Sequence, residues 1–274
     1  MADIEPISIV ELGVGDAQAG LVLSTEAHWN QNEADWRFFL SKGFVFGVRD
    51  RAQLVATAAL LPYSSGNAWI SMVLVTANWR RRGIATKLVD ACLNEATRLG
   101  LITWLDATPD GASVYGPLGF TPTLQLRRLK LERAGEHKAL PSLSTCNLDQ
   151  FIARDRDAMG FDRSLLLTEF AGRAGSRIVS DRNAMALVRD GRTARQIGPL
   201  FADTPADSLT LVDAITQSET GPWLLDAVHS QKEFLDGLTG SGWNIERPFQ
   251  RMRFGRTTTQ GKELPFAVAG PEFG

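Results

Sequence analysis

The chain has little cysteine, little tyrosine and no excess of either charge. Its 274 residues include two cysteines and two tyrosines, and 29 Lys+Arg stand against 31 Asp+Glu for a net charge of −2. Two cysteines supply neither a disulfide framework nor a cysteine-based metal cluster, so Cys92 and Cys146 read as buried thiols and no metal is expected. Balanced charge, with 44% hydrophobic residues, argues against a nucleic-acid surface and against disorder. A small molecule is the expected partner. No basic-plus-apolar leader opens the sequence and no apolar run is long enough to span a bilayer, which points to a cytoplasmic protein without a membrane partner. The length suits two domains of about 100–150 residues, each able to bury its own core.

The most informative stretch is Trp69-Ile70-Ser71-Met72-Val73-Leu74-Val75, an apolar strand, followed by a polar turn, Arg80-Arg81-Arg82-Gly83, and then Ile84, Leu88, Cys92, Ala96 and Leu99 at helical spacing. Strand, basic loop and helix follow in order. Backbone N–H groups at a helix start, with no side chain at Gly83 and only a methyl at Ala85, make a concave anion site that the helix dipole reinforces. A pyrophosphate fits such a site.

Upstream, a short strand near Ile7–Leu12 precedes a helix capped by Asp16, and then comes His28-Trp29-Asn30-Gln31-Asn32-Glu33-Ala34-Asp35-Trp36. Two readings stand. Trp29 and Trp36 wall a pocket in which Asn30, Gln31 and Asp35 set orientation, or the two tryptophans share one helix face and are core. Phe44–Val48 and Leu54–Leu61 form a hairpin around Arg49-Asp50-Arg51. Leu101–Ala107 is a strand that must run parallel to 69–75, because a helix crosses between them.

Arg80-x-x-Gly83-x-Ala85, set between strand and helix, resembles the signature of the GNAT superfamily of acyl-CoA-dependent N-acyltransferases. Thr108 to Phe120 is similar to the family's second landmark, a short helix carrying Val114-Tyr115 and closing with Gly119-Phe120. The resemblance implies an α/β (α+β) fold with a mixed, mostly antiparallel central sheet flanked by helices, and acetyl-CoA as co-substrate. It places the pyrophosphate on Arg80, Arg81, Arg82, Gly83, Ile84, Ala85 and Thr86, and the pantetheine arm on the backbone of Val73, Leu74 and Val75, where the parallel strands splay. Tyr115 is then the acid for the departing thiolate, although Gly116-Pro117 cuts its helix short. A core aromatic is the other reading of Tyr115. Asp106 is the first choice of base, with Glu26 and His28 behind it; a turn cap before Thr108-Pro109 is its other reading. The segment with Trp29, Asn30, Asp35 and Trp36 would line the acceptor side.

Glu132–Thr145 reads as a linker, dividing an acetyl-CoA-binding GNAT domain at 1–132 from a second domain at 145–274. The second half repeats the order of strands and helices of the first, ending in a strand Trp243–Phe254 interrupted at Pro248, and Leu88-Val89-Asp90-Ala91 recurs as Leu211-Val212-Asp213-Ala214. Two tandem GNAT-like domains are therefore expected. At the second strand-to-helix junction Asp203-Thr204-Pro205-Ala206-Asp207 replaces the arginines and glycine, so this domain should not bind CoA. Its expected role is to supply acceptor-pocket groups such as Asp226 or Glu169, or to form a homodimer. The function expected is acetyl transfer to a small-molecule primary amine; a protein amine and a non-catalytic acetyl-CoA-binding regulator are the alternatives.

Overall fold

The computed structural model describes residues 8–132, 143–256 and 261–274. Most of the expected linker, 133–142, lies outside these residues. The chain forms two compact units, Met1–Pro62 with Gly66–Trp104, and Tyr63–Ser65 with Leu105–Gly274.

The first unit runs β1 (Ile9–Glu11), α1 (Ala17–Glu26), α2 (Glu33–Lys42), β2 (Phe44–Asp50), β3 (Gln53–Pro62), β4 (Asn67–Val75), α3 (Ile84–Arg98) and β5 (Ile102–Ala107), whose last three residues belong to the second unit. Its strands lie in chain order; β1 to β4 pair antiparallel, and β5 lies parallel to β4. The helix crossing between β4 and β5 dictates that direction. The buried face of α3 is Ile84, Leu88, Val89, Cys92 and Ala96, so Val89 takes the place expected for Leu99, which is exposed. Each large apolar side chain buried there contributes about 1.5–3 kcal/mol relative to exposure.

The second unit contains α4 (Pro109–Tyr115), β6 (Thr121–Leu131), β7 (Ser144–Thr145), α5 (Leu148–Met159), α6 (Ser164–Ala171), β8 (Arg177–Asp181), β9 (Ala184–Asp190), β10 (Arg195–Phe201), α7 (Pro205–Ser218), β11 (Trp223–Val228), α8 (Lys232–Gly240) and β12 (Asn244–Phe254). The strand β12 runs through Pro248, and its register against β6 shifts instead at Ile245/Arg247 and at Arg251/Met252. Sheet order is β5-β12-β6-β11-β10-β9-β8-β7, with β10 parallel to β11. The pairings of β6 with β12 and β11, and those among β7, β8, β9 and β10, are antiparallel. Leu211 and Val212 on α7 are buried, as are Leu88 and Val89 at the matching point of α3.

In this order the two halves have exchanged their last strands. β6 ends the first half in sequence yet lies between β11 and β12, while β12 ends the second half and stands beside β5. Two buried ion pairs fasten the exchange. Arg251 on β12 makes a bidentate bond to Asp106 on β5, both contacts 2.8 Å, and Arg128 on β6 makes the same bond to Asp226 on β11, again 2.8 Å twice. The carboxylates sit in a repeated tripeptide, Leu105-Asp106-Ala107 and Leu225-Asp226-Ala227.

Candidate active site

In the first unit the loop expected to take an anion follows β4. A short 3₁₀ turn, Ala77–Trp79, leads to Arg80; Arg81 and Gly83 both have positive φ, 59° and 73°, and Gly83 is the N-cap of α3. No side chain caps α3, so the first amides of that helix are left to solvent or to a ligand. Arg80, Arg81 and Arg82 are exposed. Arg80 Nε donates to Val75 O at 3.0 Å, and Arg82 donates to Asn78 O at 2.9 Å while stacking over the Trp79 ring. These contacts hold two of the guanidinium groups at the helix mouth. An uncapped helix start beside cationic side chains favours negative charge.

Strand β4 leads directly into that loop. Its parallel ladder with β5 runs from Asn67↔Ile102 to Trp69↔Trp104, and beyond Trp69 its pairing is with β3. Along the β3 side the register shifts between Thr57 and Ala59, opposite an extra residue of β4 at Met72-Val73. Met72 has φ 53°, and Thr57 Oγ1 donates to its carbonyl at 2.8 Å. This bulge re-aims the backbone of Val73, Leu74 and Val75. Beside it, Glu26 at the end of α1 is exposed and accepts a 2.8 Å bond from the Ala77 amide through Oε1. His28 is exposed, with φ 56°.

The segment between α1 and α2 divides. Asp35 is fully buried in a capping box with Asn32, in which Asp35 N donates to Asn32 Oδ1 and Asn32 N to Asp35 Oδ2, both at 3.0 Å. Trp36 is also fully buried; its Nε1 donates to Ser24 Oγ at 2.9 Å and its ring lies against Gly20, where a Cβ would come within 2.4 Å. Both residues are therefore part of the core and not of a substrate wall. Trp29 is half-buried and Asn30 buried on the connection itself. Beside them Gln31 is buried with its Oε1 unmatched among the described residues, a position where a polar group or a water is required.

Asp106 and Tyr115 belong to the second unit. The Asp106 side chain is wholly enclosed, with 0% exposed, and both of its oxygens accept from Arg251. Burial pushes its carboxyl above the ordinary carboxylate range, and Arg251 opposes that shift. An enclosed carboxylate committed to a guanidinium has no path to an incoming amine, so the expected base becomes an ion-pair partner. It does not cap the following helix either, since Thr108 Oγ1 accepts from Gly111 N at 3.2 Å. Asp226, expected to serve an acceptor pocket, is likewise enclosed, bound by Arg128 and by Gln196 Nε2 at 2.9 Å, and Glu169 pairs with Arg173. Tyr115 is the last residue of α4, half-buried, its ring 6.0 Å from Phe120, which in turn packs on Phe254.

The second strand-to-helix junction carries none of the anion-binding features. Thr204 Oγ1 accepts from Asp207 N and donates to Asp207 Oδ2, and Pro205 occupies the first turn of α7. The N-terminus of α7 is thus capped from within the chain and already carries a carboxylate.

In the first unit a bulged strand, an arginine-rich loop and an uncapped helix start thus follow one another. The chain belongs to the GNAT acetyltransferase family: the profile described as "Acetyltransferase (GNAT) family" matches residues 18–120, and that described as "Acetyltransferase (GNAT) domain" matches residues 151–267. It is therefore an acyltransferase built from two GNAT domains in tandem. An uncharacterized N-acetyltransferase of Bacillus subtilis, YitH, is 21% identical over 236 residues, covering 82% of this chain and 83% of that protein. A putative acetyltransferase from Pyrococcus horikoshii superposes with a TM-score of 0.83 at 18% identity, over 100% of this chain and 98% of the other. A tandem GNAT protein from the clavulanic acid biosynthesis pathway has a TM-score of 0.61 at 14% identity, over 92% and 99%. Among the described residues, no helix is long and apolar enough to cross a membrane and no group of side chains is placed to hold a metal ion.

Proposed function

We propose that the protein is an acetyl-CoA-dependent N-acetyltransferase that acylates a primary amine of a small molecule. The observation that carries this reading is the conjunction, within one unit, of the uncapped N-terminus of α3 beside Arg80–Arg82 with the bulge at Met72-Val73 that re-aims β4 toward it. The loop residues Arg80 to Thr86 take the pyrophosphate. Val73, Leu74 and Val75 pair with the amides of the pantetheine arm, and one N–H beside the Met72 bulge faces the thioester carbonyl, where negative charge develops. The amine nitrogen attacks that carbon, the C–N bond forms and the C–S bond breaks. Glu26 takes the proton from the amine, replacing Asp106 in that role because it is exposed and fixed at the exit of β4. Tyr115 gives its proton to the thiolate. Trp29 and Asn30 border the acceptor. In chain order the cofactor-binding domain is 1–132 and the degenerate domain 145–274.

Replacing Arg82 by Glu tests the loop. A carboxylate about 5 Å from a phosphate, at an effective dielectric near 20, costs roughly 3 kcal/mol, so the calorimetric Kd for acetyl-CoA should rise about a hundredfold. An unchanged Kd removes the loop from the site.

A further inference from the structure

The second domain has its own splayed strand pair, and there the gap is occupied. The parallel ladder of β10 and β11 runs from Arg195↔Trp223 to Ile197↔Leu225 and stops, and the β10 register against β9 shifts between Ile197 and Leu200, as that of β4 does against β3. Into the opening runs the segment Pro265-Phe266-Ala267-Val268-Ala269. On the β10 side Leu200 N donates to Ala267 O at 2.9 Å and Phe266 N to Leu200 O at 2.9 Å. On the β11 side Val228 N donates to Phe266 O and Val268 N to Asp226 O, both at 3.0 Å. One extended segment thus bridges two diverging strands, with Ala267 opposite Leu200 on one and Ala227 on the other. Phe266, Ala267, Val268 and Ala269 are buried.

The approach is close enough to constrain the sequence. Gly198, at φ 149°, faces the segment, and a Cβ there would lie 2.1 Å from Val268 O. Two buried arginines hold the chain from Ala269 to Gly274. Arg189 donates to Ala269 O and to Glu272 Oε1, both at 3.2 Å. Arg163, paired with Asp155, donates to the carbonyls of Phe273 and Gly274, and Tyr63 donates to Phe273 O at 2.9 Å.

We propose that residues 265–269 are an internal substitute for the pantetheine arm, filling the second GNAT cleft from within so that the chain takes up a single acyl-CoA. The proposal rests on the reading of the first domain as the acyl-CoA site, in which the backbone of β4 beyond the Met72 bulge receives that arm. It adds to the capped start of α7 a second and independent obstacle: a cofactor would have to break the five backbone hydrogen bonds that join the segment to β10 and β11 and expel an apolar strap.

The test uses the full-length protein, acetyl-CoA as probe, and two readouts. Isothermal titration should give one site per chain. Hydrogen exchange should show the amides of Leu200, Val228, Phe266 and Val268 in the slowest class both with and without saturating acetyl-CoA. In Glu272→Gln, which loosens the Arg189 clamp, exchange at Phe266 and Val268 should accelerate at least tenfold while the β6 amides keep their protection. Two sites per chain, or loss of protection at those four amides when acetyl-CoA is added, overturns the proposal. No binding with the four amides still protected refutes the first-domain reading and leaves the strap upheld; rapid exchange of the four amides in the free protein refutes the strap alone.

Discussion

Replacing Arg251 by Met isolates the Asp106 carboxylate in a place where its side chain has no exposure to water. Two charge-assisted hydrogen bonds of 2.8 Å disappear together. Breaking one side of a buried pair costs about 3–5 kcal/mol, because the remaining charge is left desolvated and unpaired. At roughly 2–4 °C per kcal/mol for a chain of this size, the midpoint of thermal unfolding should fall by about 6–20 °C in scanning calorimetry. The double variant Asp106→Leu/Arg251→Met removes both charges and should unfold within a few degrees of the wild type, since well-packed apolar residues replace such pairs at little cost. Its turnover, measured well below the midpoint, should stay within about threefold of wild type, because the carboxylate only holds β12 to β5. A loss of less than about 1 kcal/mol in Arg251→Met would mean the pair behaves like an exposed one. A double variant with normal stability and turnover reduced more than a hundredfold would restore Asp106 as the base and refute the reasoning.

Two further outcomes concern the chemistry directly. Tyr115→Phe keeps the ring against Phe120 and deletes one proton, so kcat should fall by roughly 10²–10⁴-fold while acetyl-CoA affinity holds; a change under twofold makes Tyr115 a packing residue. Glu26→Gln keeps an oxygen for the Ala77 amide but cannot accept a proton, so kcat should fall by at least tenfold and recover at higher pH, where more of the free amine is already neutral. A pH profile identical to the wild type assigns the base elsewhere.

The elements legible in the sequence are those set by short-range signals. The strand, basic loop and helix at Trp69–Leu88, the hairpin at Phe44–Leu61 and the parallel direction of Leu101–Ala107 rest on periodicity, turn chemistry and connection length, all local. Asp35 and Trp36 depart from the pocket expected of them although a local signal exists: Asn32-x-x-Asp35 is a capping box, which fixes α2 at Glu33 and turns Trp36 inward. The exchange of β6 and β12 is a choice between two strands of similar pattern, made by partners about a hundred residues away, and periodicity does not encode it. A trace of it is present in the repeated Leu-Asp-Ala of 105–107 and 225–227, each needing an arginine, with Arg128 and Arg251 at matching positions of similar strands. The bulge at Met72 carries no glycine to announce its positive φ. Because β6 has both of its partners in the second unit, residues 1–133 alone would leave that strand unpaired, and the role of the second domain has to be tested in the intact chain.

Thiol release from acetyl-CoA in the presence of a panel of small primary amines, polyamines and amino-terminal peptides measures turnover without an intermediary. Steady release of CoA is expected with at least one small amine, matched mole for mole by an amine heavier by one acetyl group, and abolished by Arg82→Glu at acetyl-CoA concentrations near the wild-type Kd. Tight binding of acetyl-CoA with no release of CoA to any amine in the panel would contradict the proposed acetyl transfer.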